Sequence, residues 1–486
     1  MRSFTLANHN TNKQSRIEVD GLGSVEVPST AYWGASTQRA LENFAISGNP
    51  LSKLRSLIWA LGAIKKASAQ ANEQQGLLGG AASAAIQQAS QEVMDGDLDE
   101  YFVIDQIQGG AGTSTNMNAN EVIAHRASEL LNDMQPGAQR IHALDHVNRS
   151  QSTNDVYPTA LKLALLRDMQ ELKRAYSALA DSFSLKAQRF SSILKVGRTQ
   201  LQDAVPMTLG QEFQAFASSV REEIDLIDTF EPKLLETNLG GTAIGTGITS
   251  SSAYSESVIS ALSDITGLPI TSSIDLINAT SDASPFLTVS SALRRSAVKL
   301  SKISSDLRLL SSGPQAGLAE IRLPAVQPGS SIMPGKINPV IPEMVNQVAF
   351  HVIGADTTVT LAVEAGQLQL NAFGPIIAHS LLESLTWLTH ACDTLRERCI
   401  DGIEANNSVL EERIAESVSI ITALTPALGY MAAAKLIHDT LEHGGSVLTN
   451  IRRQGLLTED QLAELLSIKK LTGHDRDDTV LASEKV

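Results

Sequence analysis

Four short stretches of the chain concentrate hydroxyl, amide and glycine residues: GGAGTSTNMN at 109–118, QSTND at 151–155, GRTQLQD at 197–203 and GSSIMPGKINP at 329–339. Each is expected to stand in front of a helix. A helix N-terminus presents unpaired N–H groups and the positive end of its dipole, so hydroxyls and amides gathered there suit an anion, a carboxylate in particular. Ser, Thr, Asn and Asp also favour these positions as plain caps, and Thr208 with Gln211 reads as such a capping box. Four clusters of this density, two of them rich in glycine, point to a site rather than to capping alone.

Other chemistries fit less well. The stretch ending in Gly335-Lys336 has five residues between its glycines and Ile337 where a phosphate loop needs Ser or Thr, so it is no nucleotide cradle. The glycines between Gly240 and Gly247 follow a helical run and do not open a strand-to-helix unit, which weakens a dinucleotide reading. His142 and His146 are four apart, as in a zinc helix, but lack the accompanying Glu and a third ligand, so no metal site is expected. His125, His351 and His379 stand alone in helical stretches and read as structural. Cys392 and Cys399 read as free thiols.

The elements that must hold these clusters are long helices. From Thr159 to Val196 there are 38 residues without Gly or Pro. They carry Leu165, Met169, Leu172, Tyr176, Leu179 and Phe183 at alternating four and three spacing, a core stripe. Phe286 to Ser312 repeats it with Val289, Leu293, Ser296, Leu300, Ile303, Leu307 and Leu310, and Ile376 to Asp401 is a further uninterrupted run. Small residues such as Ala297 beside Ser296 let helices approach closely, and the stripes are wider than one partner needs. A mainly α-helical fold with a central long-helix bundle follows. Before about residue 150 the chain is mixed, with a short strand pair near Arg16 to Val27; after about 405 it turns to short helices, including a turn and helix start at Gly455 to Asp460. The expected domains are 1–150, 151–405 and 406–486, within the two to four that about 100–200 residues per domain allow.

The net charge of −15 repels phosphate backbones, and aromatic residues, at 4%, are too few for a base-stacking platform, so nucleic acid is not an expected partner. Neither a signal-peptide pattern nor an apolar run of about 18 residues is present, which predicts a cytoplasmic protein without membrane contact. Geometry adds a constraint. Ser152 to Asn154 and Thr199-Gln200 flank the same uninterrupted run, and a helix rising 1.5 Å per residue holds them about 57 Å apart. If both serve one site, neighbouring subunits must supply them, so function predicts assembly.

At this point the residues become familiar. GSSIMPGKINP resembles the signature of the aspartase/fumarase superfamily, and GTSTNMN, QSTND and GRTQLQDAVP match its other active-site segments in order, over nearly the whole chain. The resemblance is strongest to its aspartase branch. It implies three largely α-helical domains, with central helices of four subunits forming a twenty-helix bundle, and a homotetramer whose sites each draw on three chains.

Carried over by position, Ser330 resembles the catalytic base on a mobile loop, and Lys336 with Asn338 the pair that holds the substrate α-carboxylate. Thr113, Ser152, Thr153 and Ser331 match positions that bind the β-carboxylate. Asn154 and Gln200 fall where the family contacts the departing amino group, with Thr199 beside the α-carboxylate. Glu343 matches a position that pairs with a histidine in fumarases; here Gln200 removes that partner. The segment HALDHVN at 142–148, where relatives often read His-Pro-Asn-Asp, departs from the second dicarboxylate site of fumarases.

The implied activity is reversible deamination of L-aspartate to fumarate and ammonia by Ser-mediated abstraction of a Cβ proton through an aci-carboxylate. No redox or organic cofactor is expected, and activation by a divalent cation such as Mg stays open. The alternatives are a class II fumarate hydratase, discriminated by position 200, and a non-catalytic structural member of the fold, which would show a damaged Ser-Lys-Asn loop.

Overall fold

The computed structural model describes residues 14–472, and these are mainly helical. The expected strand pair is the antiparallel hairpin Ser15–Asp20 and Gly23–Pro28. The longest element is the helix Thr153–Arg189, 37 residues, which at 1.5 Å per residue is about 55 Å long. Its six stripe residues, Leu165 to Phe183, are all fully buried. The second stripe lies on the helix Ser284–Leu310 and is buried from Val289 to Leu310. The third run is the helix Gly374–Arg398, and a further long helix spans Val340–Glu364.

Two expectations fail after Arg189. The helix stops there, and the cluster at 197–203 does not precede a helix: it forms the tip of an antiparallel hairpin, Leu194–Thr199 with Gln202–Thr208. Absence of Gly and Pro permits a helix without requiring one. What ends this one is a competing set of donors, because the N–H of Leu209 reaches the carbonyl of Ile193 at 2.8 Å and that of Gly210 reaches Phe190 at 3.1 Å. Only glycine fits there, since a Cβ on Gly210 would lie 2.4 Å from the carbonyl oxygen of Ala187. The next helix, Leu209–Leu235, opens on the expected reciprocal box: Thr208 N–H donates to Gln211 Oε1 at 2.9 Å, and Gln211 N–H to Thr208 Oγ1 at 3.0 Å.

The chain folds as two compact units, each discontinuous in sequence. One takes residues up to Leu172 with Leu226–Arg295 and His351–Trp387. Its centre includes the helices Arg55–Gln74, Gly80–Asp95 and Thr113–Met134, with Leu57, Ile58, Leu61 and Ile64 fully buried.

The other unit takes Lys173–Asp225, Ser296–Phe350 and residues from Leu388 onward. In it Phe216 packs edge to face against Phe183 and Phe213, and Phe190 meets Phe213 edge to face at 5.3 Å. Near the C-terminus Ile420, Ile421, Leu424, Leu436, Val447, Ile451 and Leu462 form a small core of their own. Gly455 ends a helix in the left-handed conformation and Thr458 caps the next, as the sequence led one to expect. Among the described residues no helix is long and apolar enough to cross a membrane.

Candidate active site

In the first unit, Thr113 opens the helix Thr113–Met134 and its Oγ1 donates to the Gly110 carbonyl at 2.7 Å. Gly112, with φ 89°, makes the preceding turn; a Cβ there would lie 2.2 Å from the Tyr157 ring. Ser152, Thr153 and Asn154 form the start of the long helix, where Asp155 organises the backbone. Its carboxylate accepts the N–H of Ser152 at 2.9 Å and, from a separate loop, those of Gly240 at 3.1 Å and Thr242 at 3.0 Å. Burial pushes the Asp155 carboxyl up to about 6, against the pull of these donors.

Asn154 is fixed by a proline. Pro158 lies inside the helix and has no N–H to offer the carbonyl four residues back, which belongs to Asn154. Asn238 Nδ2 takes that carbonyl at 3.0 Å, while Asn154 Nδ2 donates to Ala243 at 2.7 Å. The side chain also lines a small cavity with Tyr157, Lys162 and Phe286.

Beneath these residues lies Lys65, which is fully buried. Its Nζ donates to three neutral amide oxygens, Asn116 Oδ1 at 2.7 Å, Gln151 Oε1 at 2.8 Å and Asn148 Oδ1 at 3.0 Å. Asn116 Nδ2 in turn donates to Thr153 Oγ1 at 3.0 Å. One side chain thus ties together the helix start after Gly112 and the turn before Thr153.

In the second unit, Thr199 and Gln200 are exposed at the hairpin tip. The register pairs Thr199 with Gln202, leaving Gln200 and Leu201 as the two turn residues, with φ of 55° and 63°. That sign combination belongs to a type I′ turn, which normally takes Asn-Gly. Each non-glycine residue held there costs about 1–2 kcal/mol.

The loop 329–339 folds back on itself. Gly329 N–H donates to the Lys336 carbonyl at 2.7 Å, and Asn338 Nδ2 to the Gly329 carbonyl at 2.7 Å. A Cβ on Gly329 would lie 2.5 Å from the Lys336 oxygen, so this closure needs glycine. Ser330 Oγ then accepts two backbone N–H groups, Met333 at 3.0 Å and Ile332 at 3.2 Å. Such a nest favours negative charge on that oxygen. Ser331 and Lys336 are exposed. Glu343 is half-buried in the first turn of the helix Val340–Glu364, its N–H on the Pro339 carbonyl.

The fold therefore gathers Thr113, Ser152, Thr153 and Asn154 in one unit, while Thr199, Gln200, Ser330, Ser331, Lys336 and Asn338 belong to the other. The lone histidines have partners: His125 stacks on Tyr32 at 4.5 Å, His351 on Trp387 at 4.1 Å, and His379 Nδ1 lies 2.8 Å from Gln106 Oε1. His142 caps the turn Ala143–Val147. Among the described residues no group of three or more His, Cys, Asp or Glu is placed to hold a metal ion.

Lys65 and Asn238 escaped the sequence reading, and Asp155 entered it only as the last residue of a cluster. The signal for Lys65 was its place among Leu61, Ser68 and Asn72, on the buried side of its helix.

The chain belongs to the aspartase/fumarase family of lyases. A family model described as "Lyase" matches residues 23–354, and one described as "Fumarase C C-terminus" matches residues 420–473. The aspartate ammonia-lyase of Pseudomonas aeruginosa is 51% identical over 93% of this chain and 96% of its own length. That of Escherichia coli is 48% identical over 94% and 96%. Among solved structures, a fumarate lyase:delta crystallin from Brucella melitensis aligns with a TM-score of 0.90 at 50% identity, covering 94% of this chain and 99% of that one. A class II fumarase from Schistosoma mansoni aligns at 0.89 with 32% identity, covering 95% and 100%.

Proposed function

We propose that this protein is an aspartate ammonia-lyase that deaminates L-aspartate reversibly to fumarate and ammonia. The observation that carries the reading is the Ser330 nest. A serine is a poor base until its alkoxide is stabilised, and two backbone N–H groups on Oγ supply that stabilisation. Ser330 takes the Cβ proton. The electrons pass into the adjacent carboxylate, giving an aci-carboxylate that only donors fixed beforehand can stabilise. Thr113, Ser152, Thr153 and Ser331 hold this β-carboxylate, Lys336 and Asn338 with Thr199 hold the α-carboxylate, and Asn154 and Gln200 orient the amino group. Asn338 also closes the loop through Gly329. Collapse of the intermediate expels ammonia and leaves fumarate.

Gln200 favours an amine over a hydroxyl as leaving group. Expelling hydroxide near pH 7 needs a positioned acid, whereas an ammonium group departs as neutral ammonia; an amide can orient but cannot cycle a proton. The Pseudomonas aeruginosa and Escherichia coli relatives at 51% and 48% identity bear the aspartate ammonia-lyase name, while the class II fumarase stands at 32%.

The working form is a homotetramer, with three chains contributing to each site. Supporting this are the length of the helix Thr153–Arg189 and the exposure of Val298, Phe350, Leu361 and Trp387 on long helices, apolar surface that other subunits would cover. We further propose a cytoplasmic location and the three-domain division at about 150 and 405, the last supported by the separate core from Ile420 to Leu462.

The test follows fumarate absorbance with aspartate and with malate as separate substrates. Aspartate should be deaminated at least about a hundredfold more efficiently than malate is dehydrated, about 2.7 kcal/mol in transition-state terms. Comparable rates, or malate preferred, would overturn the assignment in favour of a hydratase.

A further inference from the structure

The turn Gln200–Leu201 presents a problem that its own residues do not solve. Both have positive φ and neither is glycine. Leu201 is 70% exposed in the single chain, so packing within its own chain does not hold the turn. Conformations of this kind persist where the surroundings over-determine them. The surroundings here lie at the root of the hairpin. Glu320 is 1% exposed and its carboxylate meets three cations: Arg198 Nη2 at 2.7 Å, Lys195 Nζ at 2.9 Å and Arg413 Nη1 at 3.2 Å. Lys195 also pairs with Glu212, in the first turn of the helix Leu209–Leu235, at 2.6 Å. Arg198 immediately precedes Thr199, across the ladder from Asp203, and follows a bulge at Gly197 where a Cβ would lie 2.9 Å from the Val205 carbonyl.

We propose that Glu320 is a positioning residue: by fixing Arg198 and Lys195 on the hairpin strand it holds the Gln200–Leu201 turn in its left-handed conformation, and with it the Thr199 and Gln200 side chains that face substrate. Glu320 touches no substrate itself. Its backbone is held at both ends, the N–H on the Leu310 carbonyl at 2.9 Å and the carbonyl on the Asn406 N–H at 2.9 Å, so the carboxylate is a fixed point. Arg413, from the helix Asn407–Glu416, shares that point, so the C-terminal helices also bear on the hairpin. The role of Thr199 and Gln200 in this inference rests on the function proposed above.

The test uses the full-length protein with two variants at the hub, and Leu201→Gly both alone and added to Arg198→Met. Glu320→Gln strips three cations of their shared carboxylate and puts the fold at risk; Arg198→Met cuts only the limb to the turn and leaves Glu320 with Lys195 and Arg413. Two quantities are read: kcat and KM for aspartate, and hydrogen exchange of the peptide covering 196–205. Arg198→Met should lower kcat/KM at least thirtyfold and speed exchange at the hairpin tip, with exchange elsewhere unchanged. Adding Leu201→Gly, the residue a type I′ turn prefers, should then recover at least tenfold, while Leu201→Gly alone stays within twofold of the parent. Arg198→Met within threefold of the parent, exchange at the tip no faster, or no recovery with glycine would each overturn the proposal. If the parent protein does not deaminate aspartate, it is the functional reading that fails, and the exchange arm still decides the positioning role.

Discussion

Lys65 Nζ lies 2.7 Å from Asn116 Oδ1, and Asn116 Nδ2 lies 3.0 Å from Thr153 Oγ1, so a buried cation stands two hydrogen bonds from a hydroxyl assigned to the β-carboxylate. Burial lowers the Lys65 pKa to about 7, with the charge of Asp155 acting against it. Its three partners are all amide oxygens. A neutral amine has two N–H groups and would turn its lone pair on one of those oxygens, whereas an ammonium satisfies all three. The arrangement thus favours a positive charge beneath Thr153, one of the hydroxyls proposed above to hold the β-carboxylate.

Lys65→Met keeps an unbranched side chain one heavy atom shorter and removes the charge. We expect kcat/KM for aspartate to fall at least about a hundredfold, about 2.7 kcal/mol, with circular dichroism unchanged. Inhibition by succinate, a dianion, should weaken far more than inhibition by its half-amide, a monoanion. A folded variant within fivefold of the parent would remove Lys65 from the substrate site.

The parts of the fold that follow from period and punctuation were legible in the sequence. The stripe from Leu165 to Phe183, the Thr208–Gln211 box and the Thr458 cap each depend on neighbours a few residues away, so local pattern suffices. The hairpin after Arg189 was not legible, because the donors that end the helix come from Leu209 and Gly210. Lys65 was hidden by its residue type, which reads as surface until its acceptors are located on other elements. The motif at 329–339 could be recognised as letters, but that Ser330 Oγ accepts two N–H groups, and that Gly329, Lys336 and Asn338 close the loop around it, is seen only in the structure.

Ser330→Ala should leave helix content and assembly intact and lower turnover at least about a thousandfold, about 4 kcal/mol. It should equally abolish deuterium incorporation at Cβ of aspartate in heavy water, since both processes share the abstraction step. Gly329→Ala keeps the base and spoils its nest, because the new Cβ has no room beside the Lys336 oxygen. Its kcat should drop more than its KM rises. Retention of Cβ exchange in Ser330→Ala would assign the base elsewhere.

Acid should weaken the Glu320 hub. Burial alone would raise this carboxyl, but Lys195 and Arg198 outweigh it and hold the pKa below the ordinary glutamate value. A depressed folded pKa contributes stability that is present above the unfolded value, near 4.5, and is lost as pH falls through the folded one. Glu320→Gln should therefore cost about 3–5 kcal/mol at pH 7.5, the range for stripping a buried ion pair of one partner. The gap to the parent should narrow below about pH 4, as read from urea unfolding midpoints. A gap that widens in acid would reverse the assigned sign.

The shared site makes a quantitative claim about mixed assemblies. If one site takes its Thr199 hairpin from one chain and its Ser330 loop from another, then Thr199→Ala and Ser330→Ala proteins, each inactive alone, carry complementary lesions. After dissociation and random reassembly of equal amounts, half the hairpins and half the loops are intact, so about a quarter of the sites contain neither lesion. Activity should return to about a quarter of the parental value per site. Were hairpin and loop of one site supplied by the same chain, every site would hold one lesion and mixing would restore nothing. Light scattering on the same samples checks the premise, since an active monomer is incompatible with a site that joins Ser152 to Asn154 with the Thr199 hairpin, segments at opposite ends of a helix of about 55 Å.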